Sequence, residues 1–572
     1  MPPPLNPAAD GFYHPTTEDD VIALVQYARA NKLQVRARGA THSIAWSIYA
    51  DAVGGPNQPD KTLEEGPPVG PNINIAFDKM ADLAWIDDTK GIVEVGPGCH
   101  LGQDPLDPFG QSTLENSMLY QVAQKGWAVN ITGGITHQTV AGFVGTGSAG
   151  GSVKYAFDNV IAFRVVDGLG NAEWIEQDSP IFPAFLTAMG LLGIVTRMRF
   201  QLVPMYNIQG TETAYPPTPD EGGPDDLPCP IDLFGPGDEN RPSLQQFLTD
   251  TDYSRMTWYP QKGHSVAQIW RASRVPASNT NLIPYQQFPP TFFAQTQMLL
   301  AALLLVLVGN SDSTRINALL KTKVARYYAN IAGIFSDQPG WAWTKLKSQV
   351  VGWLVLAVGG VIGSIKGAMR LLYPKALPFF TPVTTKKEGG DPFHDWYWRS
   401  LPMDNTADDV LLSTEFVEIW VPIQYTQQAM TLFKGMFDNG GYAATGYFAQ
   451  EIYAAAPSPG WLNPSYSDGT DEYKDGVVRF DAYWYRDNEG GPDLAQGFFR
   501  QYWDLLLTNN VPFRFHWGKF VPYYDFPTWA AYYKANLPKF QDFLDLRTQR
   551  DPDNVFFTTY WQQTLLGKTV DG

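Results

Sequence analysis

Asn130-Ile-Thr-Gly-Gly-Ile-Thr-His-Gln-Thr-Val-Ala-Gly-Phe-Val-Gly-Thr-Gly-Ser-Ala-Gly-Gly-Ser152 carries seven glycines in 23 residues. Glycine this dense lets backbone approach another group closely, often a phosphate cradled by free N–H groups. Gly145 to Gly150 has the letters of a dinucleotide fingerprint, which requires a strand before it and a helix after it. A strand is predicted at Val160–Val166, and the roughly nine residues before it are too few for that helix. The run on its own reads either as a structural loop or as a cradle of another kind.

The pattern on both sides is mixed. Thr16 or Thr17 caps a predicted helix with Val21, Ile22, Leu24, Val25 and Ala28 on its apolar face. A short strand, Leu33–Ala37, then feeds the polar turn Arg38–Ser43, and residues 72–98 read as further strands. After the run come the turn Asp167–Gly170, a helix over Ile181–Met189 and a strand over Ile194–Leu202. Residues 215–243 are rich in Pro, Gly and Asp and mark the domain boundary. Strands are predicted at Val410–Pro422, Gly446–Ala456, Val477–Tyr485 and Phe513–Lys519, with helical and turn segments over Tyr523–Leu566. No solenoid repeat is present.

Composition narrows the function. The 572 residues exceed one ordinary core and contain 44% apolar and 14% aromatic side chains but only 17% charged ones. The net charge of −17 repels phosphate backbones, so nucleic acid is not an expected partner. Two cysteines, Cys99 and Cys229, exclude a disulfide framework, and seven scattered histidines give no metal site. The N-terminus has no signal-peptide pattern. The apolar runs Met298–Gly309 and Val350–Gly363 fall short of the roughly 20 residues that span a bilayer. These readings place the protein in the cytoplasm or peripherally on a membrane. From Thr314 a helical period is clear, and residues 309–375 hold nine Lys/Arg (Arg315, Lys321, Lys323, Arg326, Lys345, Lys347, Lys366, Arg370 and Lys375) against two acids, a local charge of about +7.

Residues 13–203 resemble the FAD domain of the vanillyl-alcohol oxidase/p-cresol methylhydroxylase (PCMH-type) flavoprotein superfamily. The resemblance rests on Pro15–Val21, on Val35–Ser43, on Gly133-Gly134 with Gly142–Ser152, and on Leu192–Val195. The tail, with Phe515-His-Trp-Gly-Lys519, Phe526–Trp529, Arg547 and Asp551–Phe556, is similar to the C-terminal signature of sugar-1,4-lactone and alditol oxidases. Together these motifs cover about 250 of the 572 residues. The resemblance implies an α+β, two-domain fold. Residues 1–208 would bind FAD and residues 209–505 would form an α+β substrate (cap) domain with a helical insert at about 290–375. Residues 506–572 would return to the FAD domain.

The resemblance also implies site roles. Arg38, Gly39, Ala40, Thr41 and Ser43 would wrap the FAD pyrophosphate, and His42 sits where relatives carry an 8α-histidyl bond to the flavin. Gly133, Gly142, Thr146, Gly147, Ser148, Gly150, Ser152 and Ile194 complete the expected cofactor set. No second, cysteinyl link is expected, because the text before the run is Gly126–Val129; Cys99 reads as structural. Ala149 stands where many relatives have histidine.

On the substrate side Lys519 and His516 map to the Lys and His of His-Trp-Gly-Lys, and Lys519 would place positive charge beside the flavin. A Glu-x-Arg strand is expected too; here it reads Glu451-Ile-Tyr453, so glutamate is kept and arginine is lost. Glu418 matches another strand motif and is not chosen as catalytic. The reaction expected is oxidation of a CH–OH group by hydride transfer to flavin N5, with O2 or another electron acceptor regenerating FAD. The substrate is a small-molecule alcohol or lactone. The alternatives are a sterol-like or other lipophilic alcohol on the same fold, or a flavin-binding protein without turnover. The insert reads in two ways: residues 295–375 touch a membrane surface or lipophilic substrate, or they form a subunit interface or helical cap.

Overall fold

The computed structural model describes residues 4–52, 67–215, 229–261, 265–285, 291–362, 390–404, 410–439, 449–489 and 491–569. Lys366, Arg370 and Lys375, the start of the Gly446–Ala456 strand and part of the 215–243 boundary lie outside the described residues.

The first helix, Glu18–Asn31, begins with a capping box in which the Thr17 side chain accepts from the Asp20 N–H. It buries Val21, Leu24, Val25 and Ala28. Strands β1 (Val35–Arg38) and β2 (Ile73–Ala76) pair in parallel beside it. Next come β3 (Leu83–Asp87), β4 (Ile92–Val95), β5 (Trp127–Ala128), β6 (Val160–Val166), β7 (Ala172–Glu176), β8 (Ile194–Gln201) and β9 (Val203–Pro204). β3, β4, β8, β6 and β7 form, in that order, a five-stranded antiparallel sheet. Between β5 and β6 the glycine run makes only a six-residue helix, Val140–Gly145, capped by Thr139, and no helix follows Gly150 before β6.

Among the described residues the second sheet has eight strands. They are β10 (Tyr206–Tyr215), β11 (Tyr253–Tyr259), β12 (Val266–Pro276), β13 (Asp391–Trp396), β14 (Thr414–Pro422), β15 (Gln450–Ala455), β16 (Val477–Tyr485) and β17 (Arg514–Phe515). Their order is β13-β10-β12-β11-β15-β16-β14-β17, and every pairing is antiparallel. The tail then packs back on the first region: the Val35 N–H donates to Val555 O at 2.7 Å and Arg550 Nε to Leu192 O at 2.8 Å. Asp551 accepts the N–H groups of Val555 and Phe556, so this part of the tail motif builds a turn.

Among the described residues three helices form the insert: Phe292–Gly309, Ser313–Phe335 and Trp341–Ile362. The first is apolar all round and mostly buried, as such a helix must be in water. Buried Lys323 pairs with Asp487 at 2.7 Å, and Arg315 donates to the Asp487 and Asn488 carbonyls. Part of the insert's positive charge therefore ties it to the end of β16.

Three expectations are corrected. The two apolar runs are not a dozen residues as helices but 18 and 22, because Gln, Thr, Ala and Trp at their edges continue the helix; among the described residues both are long and apolar enough to cross a membrane. The helix over Ile181–Met189 shrinks to Phe182–Phe185, since Met189 turns into the left-handed region at φ 52°. The strand over Phe513–Lys519 reduces to Arg514–Phe515, because the Lys519 N–H turns back onto His516 O.

Candidate functional site

A cavity that opens to solvent lies between the polar turn after β1, the glycine run and β8. Arg38, Gly39, Ala40, Thr41, His42 and Ser43 line it, with Gly142, Thr146 and Ile194 opposite. Phe163, Phe185 and Met198 add an apolar wall, and Trp517 and Trp561 close it from the tail. Gly39 is required by proximity: a Cβ there would fall 2.4 Å from Thr139 Oγ1. Thr41, a β-branched residue, holds φ 63°, a strained conformation of the kind kept at binding sites.

Other expected cofactor residues shape the loop without lining the cavity. Gly133 faces the Phe143 ring. Gly147, at φ 69°, packs on Thr187 and Asn463, and Gly150 sits over the Gly134 backbone. Ser152 bridges to Ala455, while Ser148 Oγ lies 3.0 Å from Thr146 Oγ1.

Arg36 tests whether an anionic cofactor fits. Its guanidinium lines the cavity and donates to Ser47 O, Met189 O and Phe556 O, while its buried Nε has no hydrogen-bond partner. Burial pushes it down to about 10 against the pull of Asp51. A buried cation bonded only to carbonyls, beside glycine backbone, fits a pyrophosphate.

His42 faces the same cavity. Enclosure, and then the charges of His137, Lys519 and His100, hold its imidazole well below the usual histidine range. Lys519 Nζ donates to the His42 carbonyl at 2.6 Å and stands 4.0 Å from the Phe416 ring centroid. Burial lowers the Lys519 ammonium from its ordinary value, with Glu418 pulling upward. His516 is buried and pushed down to about 4, first by burial and then by Lys519 and Arg479. Its Nδ1 accepts from the Gly518 N–H, so Nε2 carries the proton toward Ser148 Oγ, 3.4 Å away.

The cap-side face comes from three neighbouring strands. Glu451 and Tyr453, two apart on β15, share a face, and the Tyr453 hydroxyl donates to Glu451 Oε2 at 2.6 Å. Register sets Arg479 of β16 opposite Tyr453, and Asp481 between Glu451 and Glu418 of β14. The Arg479 guanidinium carbon lies 4.4 Å from the Tyr453 ring centroid, and its Nη2 reaches Asp481 Oδ2 at 2.6 Å. Its Nη1 donates to Ala149 O and stands 3.8 Å from Glu418 Oε2.

Burial lifts the Asp481 carboxyl well above its ordinary value, Arg479 opposes this, and Glu418 and Glu451 add to it. Burial would raise Glu418 too, yet Arg479, His516 and Lys519 hold it low. Burial first, and Glu451 second, keep the Tyr453 phenol protonated far above the usual tyrosine range. Arg479 Nε and Asp481 Oδ1 are buried without hydrogen-bond partners.

The four expected catalytic residues thus fall in one polar cluster that runs from His42 through Lys519, His516 and Ser148 to Ala149, Arg479, Tyr453 and Glu451. Sequence reading missed Arg479 and Asp481 and set Glu418 aside. The available signal was Arg479-Phe-Asp481, an opposite-charge pair on one face of an otherwise apolar strand.

No family model matches the chain. It is 24% identical over 273 residues to D-arabinono-1,4-lactone oxidase of Saccharomyces cerevisiae, covering 46% of this chain and 41% of that protein. It is 22% identical over 276 residues to L-gulonolactone oxidase of Bos taurus, covering 47% and 50%. These matches span half or less of either relative's length. Among solved structures, a cholesterol oxidase from Brevibacterium sterolicum superposes with a TM-score of 0.59 at 13% identity, over 97% of this chain and 94% of that one.

Proposed function

We propose that the chain has the FAD-binding fold of the vanillyl-alcohol oxidase/p-cresol methylhydroxylase superfamily and is an FAD-linked oxidase of a CH–OH group in a polar small molecule of the sugar-lactone or polyol class; the fold shared with a cholesterol oxidase and the likeness to lactone oxidases support this reading. The observation that supports this best is the polar cluster that lies between the cavity-lining turn at His42 and the Glu451–Tyr453 strand. Bound FAD would supply the two-electron acceptor, taking hydride at flavin N5 and passing the electrons to O2 or another acceptor.

The chain's own residues do the rest. Arg36 and the backbone of 38–43 would bind the pyrophosphate, and Gly39 lets that turn pack against Thr139. His42, held neutral, keeps a ring lone pair for the 8α-histidyl link. Lys519 and Arg479 supply the positive potential that stabilises charge developing at the reacting centre. Tyr453 hydrogen-bonds Glu451 and fixes its carboxylate, which accepts the substrate hydroxyl proton. His516 positions Ser148 and, through it, Thr146.

The partly exposed Glu451 and Lys519, backed by the buried Arg479, offer polar partners for substrate hydroxyls, which favours a lactone or polyol over a sterol-like alcohol. The test starts with colour. Purified protein should be yellow and keep its flavin after acid precipitation, and His42→Ala should release that flavin. An anaerobic panel of sugar lactones, polyols and hydrophobic alcohols should then bleach the flavin with the polar members. Colourless protein from a flavin-replete host overturns the cofactor reading; a yellow protein bleached only by hydrophobic alcohols overturns the substrate class; no bleaching at all means no turnover.

A further inference from the structure

The helix Trp341–Ile362 has its apolar pattern reversed. Toward the protein it presents small residues: Ser348, Gly352, Val355 and Gly359 are its buried positions. A Cβ on Gly352 would fall 2.1 Å from the Tyr328 hydroxyl and one on Gly359 2.6 Å from Leu320 Cδ1, so the Ser313–Phe335 helix lies close along this face. The large apolar side chains point outward. Trp343 is 65% exposed, Trp353 68% and Val361 65%, with Leu346, Val350, Leu354 and Val358 exposed between them. A helix on a water-soluble surface shows the opposite arrangement. The stripe follows a 22-residue helix, about 33 Å of length. Phe293 adds to it at 77% exposure, beside Phe292, whose ring centroid is 5.9 Å from Lys347 Nζ.

Charge selects the occupant. The chain as a whole is strongly acidic, yet no acid occurs between Asp337 and the end of this helix, while Lys345 and Lys347 are exposed on its second turn. The same face of a second copy would bring like charges and offer no acidic complement. We propose that this face docks on an anionic phospholipid bilayer, with the helix lying in the membrane plane, its tryptophans and aliphatics among the upper acyl chains and its lysines at the phosphates. The helix does not cross the bilayer, because its inner face stays packed on the neighbouring helix along its length. The enzyme would then work at a membrane surface while its acidic bulk is held off the headgroups.

The experiment is flotation of the full-length, flavin-loaded protein with vesicles of phosphatidylcholine alone or with 30 mol% phosphatidylserine. Wild type should float with the anionic vesicles and at least about tenfold less with neutral ones or in ~0.5 M salt. Val350→Glu with Trp353→Glu, both outward, should lower flotation at least about tenfold at unchanged circular dichroism. Lys345→Glu with Lys347→Glu leaves the apolar area intact and should remove the preference for anionic lipid; it decides the matter if the first variant misfolds. The proposal is overturned if wild type does not float, if both double variants float like wild type, or if light scattering finds a dimer that the Glu variants dissociate and vesicles do not bind.

Discussion

Replacing Arg479 tests the site most directly. Arg479→Met keeps the bulk of the stem but removes the 2.6 Å bond to Asp481, the bond to Ala149 O and the positive neighbour of Glu418. Asp481 and Glu418 are almost fully buried, and Asp481 Oδ1 already lacks a partner, so a buried carboxylate is left uncompensated. Breaking a buried pair from one side costs about 3–5 kcal/mol. Asp481 has an escape: its carboxyl is already lifted by burial, and without Arg479 it rises further and takes up a proton. A group raised in the folded state favours folding more as pH falls, so the loss should be largest near pH 8 and smaller near pH 5. Asp481→Asn in the same chain should recover about 2 kcal/mol or more, since it removes the unpaired charge. Guanidinium denaturation of the single and double variants at both pH values, followed by tryptophan fluorescence, measures this. Losses that add within about 0.5 kcal/mol and do not change with pH would refute the coupling. Turnover should drop about 100-fold or more, and Arg479→Lys should recover stability better than rate, because ammonium keeps the charge and loses the fork.

Two further outcomes follow from the same cluster. Tyr453→Phe removes the 2.6 Å hydrogen bond to Glu451 while leaving the ring under Arg479, so flavin content should stay while the acid limb of the pH–rate profile moves; an unmoved profile in stopped-flow bleaching counts against Glu451 as the proton acceptor. His516, pushed down to about 4, binds fewer protons folded than unfolded, so its contribution of about 3 kcal/mol is present above pH 6.5 and lost as pH falls toward 4. His516→Gln should flatten that part of the stability curve, although Asp481, shifted the other way, offsets some of it in both proteins.

What could be read ahead was what is local in the chain. Thr17 capping, the glycine run and the two-residue alternation that puts Glu451 and Tyr453 on one face are properties of neighbouring residues. Arg479 was illegible because its meaning comes from pairing between β15 and β16, strands whose register only the folded sheet sets. Proximity also explains Gly39, whose partner Thr139 is 100 residues away. The short strand at Arg514–Phe515 failed for a nearer reason: Gly518 and the His516 carbonyl make a turn where alternation alone predicts extension. The insert failed by length, since its helices run on through residues that hydropathy does not mark and helix propensity accepts.

The two departures from the resembled pattern, Ala149 and Tyr453, meet at one residue. Arg479 donates to the Ala149 carbonyl and lies against the Tyr453 ring, so the guanidinium missing from β15 is present on β16, one strand over. An arginine at 453 would stand directly opposite Arg479, and like charges facing across a strand pair are destabilising. Tyrosine at 453 suits a position opposite Arg479: it offers a ring face to the cation and a hydroxyl to Glu451. Tyr453→Arg alone should therefore lower stability and flavin content, whereas Tyr453→Arg with Arg479→Thr should recover both and retain turnover on the same polar substrates. If the single variant is as stable and as active as wild type, the two positions do not compete for one charge, and the relocation argument fails.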